Sequence, residues 1–373
     1  MERRSFFQAG IALGFAGLGR ELPKAELWAP ARPSPNGPIR LSANENPLGI
    51  SPSARRAVID AIDEANRYPG ARETELIDAL AAKHNVKKDN IALGNGSTEI
   101  LQVIVQAHGS PKTTLIVADP TFEDVPNYSE PEKYRLVKVP LDGSHGHDLG
   151  RMREIANKAD GPVLVYVCNP NNPTASVTSC RDVDAWIKSA PDNHYFMIDE
   201  AYFEFVQDPR YWTSVELAVR NPNVVVVRTF SKIYAMAGMR LGYAVAHADT
   251  IKQLHPLLAH NGANQLALAS AIASLNDRGM VARSKDSNSR AKAILYSVLQ
   301  DLNIEYLDSQ TNFAMHRIEG DLRTYIDRMK EHGFKVGRPF PPMLSYNRVS
   351  IGLPDQMERF AEALRMFRKK GWV

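Results

Sequence analysis

Cysteine is nearly absent: Cys168 and Cys180 are the only two in 373 residues. That count excludes a disulfide framework, and neither thiol sits in a Cys or His cluster spaced to hold a metal. Two buried free thiols are the ordinary expectation, with a Cys168–Cys180 pairing left open in an oxidising compartment. No apolar run approaches the ~20 residues that cross a bilayer. Charge of one sign is lacking too: 45 basic residues against 42 acidic ones leave a net charge of +3, without a block of like charge. No nucleic-acid partner and, for the mature form, no membrane partner is implied. Small molecules are the expected ligands. Internal repeats and low-complexity tracts are missing as well. What the chain does have is 44% hydrophobic residues, enough for a large core and two or three domains' worth of material.

The first thirty residues stand apart. Arg3-Arg4-Ser5-Phe6-Phe7 puts two arginines before a short apolar stretch, Ala9 to Leu18, and Ala29-Pro30-Ala31 offers a small-residue cleavage site. This order predicts a signal peptide over residues 1–31, and the twin arginine points to the export route that carries folded proteins. An amphipathic helix belonging to the fold is the competing reading, weakened by Gly10, Gly14, Gly17 and Gly19. The expected location is periplasmic or secreted, and cytoplasmic if the signal is unused. Export after folding suits a protein that must first load a cofactor in the cytoplasm.

From Ile39 short apolar runs alternate with longer helical patterns, which is α/β organisation. Buried strands are expected at 115–118, 163–167, 195–198, 224–227 and 243–246, with helices such as 73–84 and 97–107 between them. Strands so separated are expected to be parallel, with ligands at their carboxyl ends. Beyond about residue 250 the pattern turns helical, then weakly αβ from residue 304. The expected division is a segment 32–70 joining a small domain, a large domain 71–250, and a small domain 251–373.

Val224 to Val227 forms an apolar strand that runs through Arg228-Thr229-Phe230-Ser231 into Lys232. A lysine at a strand's carboxyl end reaches a ligand held above the sheet, and burial would make its amine the nucleophile that Schiff-base chemistry needs. Alone, such a lysine is as a rule solvated. A second apolar strand, however, delivers Asp199-Glu200-Ala201-Tyr202 to the same end of the sheet. Asp199 can pair with a protonated pyridine nitrogen and keep that ring an electron acceptor; its bland alternative is a helix N-cap, and that of Glu200 a surface acid. Tyr202 is placed to bond a ring oxygen or simply to pack. Gly94-Asn95-Gly96-Ser97 opens a helix after an apolar run, a phosphate cradle if not a plain turn. Ser231 and Arg240 could add a hydroxyl and a bidentate cation. The group implied is pyridoxal 5′-phosphate, held on Lys232.

Together with Leu41-Ser42-Ala43-Asn44-Glu45-Asn46-Pro47, Arg67-Tyr68-Pro69, Asp119-Pro120-Thr121-Phe122, Asn169-Pro170-Asn171-Asn172-Pro173-Thr174, Ala237-Gly238-Met239-Arg240 and Arg348-Val349-Ser350-Ile351-Gly352, these motifs resemble class I/II aminotransferases. The histidinol-phosphate aminotransferase branch is the nearest likeness. The resemblance, running from about residue 40 to 365, implies fold type I of the pyridoxal-phosphate enzymes: a large domain with a mostly parallel seven-stranded sheet between helices, and a smaller α+β domain. It implies that Lys232 forms the internal aldimine, that Asp199 pairs with the pyridine nitrogen, and that Asn172 and Tyr202 bond the ring oxygen. Phe122 would stack on the ring. Gly96, Ser97, Ser231 and Arg240 would hold the phosphate, with Tyr68 reaching that of a neighbouring subunit in a homodimer. Arg348 would bind the substrate's α-carboxylate with Asn44 close by, and Arg338 would lie near its distal group. Two positions depart from the family: Ala175 stands where glycine is common, and Phe122 where Tyr is usual. Transamination is the expected reaction. Decarboxylation, elimination or oxidation on the same cofactor is the nearest rival, and a non-catalytic ligand-binding protein on this fold the second.

Overall fold

The computed structural model describes residues 37–129 and 134–373, so the expected signal over residues 1–31 lies outside the described residues. The strands, in chain order, are β1 (Ile39–Leu41), β2 (Ile91–Gly94), β3 (Thr114–Asp119), β4 (Arg135–Pro140), β5 (Val163–Cys168), β6 (His194–Asp199), β7 (Val224–Thr229), β8 (Gly242–Ala246), β9 (Phe313–Arg317), β10 (Phe334–Val336) and β11 (Tyr346–Ser350). A seven-stranded sheet has the order β2-β8-β7-β6-β5-β3-β4. β5 and β7 are buried along their whole length, which is why β5 and the Val224–Val227 part of β7 read as unbroken apolar runs. β4 lies at the edge with much of its surface exposed, and Arg135 and Lys138 break its apolar pattern.

β8, expected as one more parallel strand, runs antiparallel to both β7 and β2. Residues 230–241 join it to β7 through a 3-10 turn, Ala237–Met239, and no crossover helix, so the chain returns beside the strand it left. The Phe230 N–H donates to the Leu241 carbonyl at 3.1 Å and closes the base of this excursion. Lys232 and Arg240 both ride on it.

A second layer contains the antiparallel pair β9 and β11 and the parallel pair β1 and β10. Leu41, Leu295, Phe360 and Phe367 are among the residues of its core. The two cores part along helix Met280–Asp301, with Ala267, Leu268 and Ala271 of helix Gln265–Asn276 packed into the core of the large sheet. The compositional change near residue 250 marks a change of secondary structure within one core. No helix among the described residues is long and apolar enough to cross a membrane.

Candidate active site

The carboxyl ends of the parallel strands surround a cavity of about 300 Å³. Asn44, Ser97, Phe122, Asn172, Asp199, Tyr202, Ser231, Lys232, Arg240, Arg338 and Arg348 all line it, although they come from across the whole chain. Gly96 abuts Arg240 beside it. Tyr68 stands apart, 85% exposed.

Lys232 is half-buried just beyond β7. Its Nζ donates to the Ala43 carbonyl at 3.5 Å and lies 5.5 Å from the centre of the Tyr202 ring. Burial lowers its pKa to about 8; Arg348 and Arg240 push the same way, and Glu45 and Asp199 oppose them. Asp199, the last residue of β6, accepts from Tyr166 Oη at 2.9 Å and from the Ala201 N–H at 3.0 Å. Burial nonetheless raises its carboxyl to about 6. Tyr202 accepts from Asn44 Nδ2 at 3.1 Å, and burial raises its phenol.

Arg348, on β11, is buried, and among the described residues no carboxylate forms an ion pair with it. Its fork donates to Asn172 Oδ1 and the Ser42 carbonyl, each at 2.6 Å, while Nε has no partner. Burial holds its pKa down to about 10. A guanidinium kept dry on neutral acceptors is a receptor for an anion.

Residues 36–364 match the family described as aminotransferase class I and II. The chain belongs to that family. A histidinol-phosphate aminotransferase of Moorella thermoacetica is 36% identical over 330 residues, covering 88% of this chain and 84% of that one. A solved structure from Erwinia carotovora atroseptica matches with a TM-score of 0.89 and 38% identity, over 90% of this chain and 97% of the other. The structure of histidinol-phosphate aminotransferase from Sinorhizobium meliloti in complex with pyridoxal-5'-phosphate matches with a TM-score of 0.84 and 26% identity, over 96% and 100%. This aminotransferase is a pyridoxal-phosphate enzyme of fold type I.

Its residues fit that cofactor. Gly96 has φ +79°, a conformation that strains any other L residue, and a Cβ there would lie 2.5 Å from Arg240 Nη2, so glycine lets the start of the helix Gly96–His108 come up to the guanidinium. That helix starts without a side-chain cap, leaving its first N–H groups and positive dipole end for a phosphate. Asp199 offers a buried carboxylate to a ring cation.

Several side chains that shape the site carried no separate sequence signal. Tyr166 is one more residue of an apolar strand until its hydroxyl is seen on Asp199. Glu200, readable as a surface acid, is buried and bonded to Arg228 at 2.5 Å, tying the end of β6 to β7. Glu123 follows Phe122 and pairs with Arg338 across the cavity mouth. Ala175 adopts φ +61°, a left-handed conformation that explains why glycine is common at its position. Cys168 and Cys180 are both free and buried.

Proposed function

We propose that this aminotransferase acts on a free amino acid whose α-carboxylate docks on Arg348, and that it works outside the cytoplasm as a homodimer. The observation that carries the reading is the buried, carboxylate-free Arg348 on the same cavity as Lys232. Pyridoxal phosphate, when bound, supplies an aldehyde carbon for the amino group and an electron-accepting ring. Gly96, Ser97, Ser231 and Arg240 would hold its phosphate, Asp199 its ring nitrogen, Asn172 and Tyr202 its ring oxygen, with Phe122 against the ring. Lys232 would anchor the cofactor covalently, and its amine would take the proton from the substrate's Cα. An amine with a pKa near 8 has a useful neutral fraction at neutral pH. Arg348 and Asn44 fix the carboxylate and thereby aim that Cα–H bond at Lys232 Nζ.

Mixing the cofactor-loaded protein with single amino acids should bleach its visible absorbance and release an equal amount of 2-oxo acid. Lys232→Ala should lose both the absorbance and turnover. Release of CO2 or ammonia in place of 2-oxo acid would instead assign a decarboxylase or lyase.

The twin arginine supports a periplasmic or secreted location, and there phosphorylated biosynthetic intermediates are absent. Cell fractionation with mass determination of the mature N-terminus checks this; an intact N-terminus in the cytoplasm refutes it. Histidinol phosphate is the second reading, favoured by the name of the Moorella relative.

A further inference from the structure

Arg338 does not face the cavity as a free cation. Both of its terminal nitrogens donate to the Glu123 carboxylate, Nη1 to Oε1 at 3.2 Å and Nη2 to Oε2, and both residues line the cavity. The pair spans the two layers of the molecule. Glu123 sits in the turn after β3, which the Thr98 hydroxyl pins by donating to Asp124 Oδ2 at 3.1 Å. Arg338 follows β10 and rests on the Phe340 ring, 4.2 Å from its centre, while Arg348 lies 4.5 Å from the same ring. Two guanidiniums therefore flank one aromatic ring, and only one of them is neutralised by a carboxylate.

We propose that Glu123 is a specificity-determining residue: by holding Arg338 it leaves no free cation for an anionic group at the substrate's distal end and selects substrates whose side chains are neutral or cationic. This rests on the reading of Arg348 as the α-carboxylate receptor. A phosphate or a second carboxylate at the substrate's distal end would have to separate Arg338 from Glu123 and then face the displaced carboxylate, a like-charge contact that repels the wrong ligand. A neutral side chain leaves the pair intact, and a cationic one gains an acidic neighbour. Both half-reactions share the cavity, so the preference extends to the acceptor: pyruvate over 2-oxoglutarate.

The test is single-turnover conversion of the cofactor-loaded enzyme by L-leucine, L-lysine, L-glutamate and L-aspartate. The wild-type protein should favour leucine and lysine over glutamate and aspartate by about tenfold or more in second-order rate constant. In Glu123→Gln the ratio of glutamate or aspartate to leucine should rise about tenfold, because Arg338 is released. Arg338→Gln alone should lower that ratio, leaving Glu123 unopposed, and the double variant should return to within about threefold of wild type. A ratio unchanged in Glu123→Gln, or a wild-type preference for glutamate or aspartate, overturns the role of Glu123 while leaving transamination intact. Conversion by none of the four sinks the reading of the cavity, and this proposal with it.

Discussion

Asp199 is 2% exposed, with its carboxyl raised from 3.8 to about 6 by burial. An acid whose folded pKa lies above its unfolded one favours folding when protonated. In the cofactor-free protein its penalty is therefore absent below about pH 4, grows as pH rises toward 6, and above that reaches about 3 kcal/mol at most. Asp199→Asn should raise the melting temperature of the cofactor-free protein at pH 8, with the gain vanishing near pH 4, and should weaken pyridoxal-phosphate binding. Thermal denaturation against pH, with and without cofactor, checks both; a cofactor-free variant less stable at pH 8 contradicts the account. The wild type thus carries an unpaired buried acid whose ionised form a ring cation can relieve. Asp199 and Lys232 were legible in sequence because each follows an apolar strand in a recognisable motif. Tyr166 and Glu123 were not, since the bonds that give them their roles reach partners 33 and 215 residues away.

Between residues and the whole lie the strand ends. The excursion between β7 and β8 places Lys232 and Arg240 on one side of the sheet, and the Glu200–Arg228 pair holds β6 and β7 in register beneath it. Ser214 N–H and Thr213 Oγ1 also donate to Glu200, at 2.7 and 2.8 Å, so the buried acid is fully engaged. Replacing only the cation leaves an uncompensated buried charge. Arg228→Met is expected to destabilise the protein by about 3–5 kcal/mol, measured by denaturant titration. A loss under about 1 kcal/mol would show that water reaches Glu200. Asp199 adjoins Glu200 and Lys232 lies four residues beyond Arg228, so a surviving variant should also bind cofactor less tightly.

For the molecule as a whole, the decisive surface is the one bearing Ile59, Ile62 and Tyr68, which are 42%, 54% and 85% exposed. Three large apolar side chains close in sequence and left to solvent suit a buried interface better than an isolated chain. In the proposed homodimer Tyr68 would reach the phosphate of the neighbouring site. Tyr68→Phe removes one hydroxyl and should raise the Kd for pyridoxal phosphate by about tenfold without changing the oligomeric state. Sedimentation equilibrium and cofactor titration check these together; a monomer with full cofactor affinity refutes the shared site.

The sequence by itself determined the chemistry at the strand ends: an amine, an acid, a phosphate turn and two arginines, each written in a short local motif. It also announced the strands buried on both faces, because helices on either side demand uninterrupted apolar residues. The reversal of β8 depended on what kind of connection residues 230–241 make. The meeting of Glu123 with Arg338, the solitude of Arg348 and the parting of the two cores along Met280–Asp301 were decided only by tertiary structure. Contacts between distant elements follow from how layers pack, and local periodicity carries no record of them.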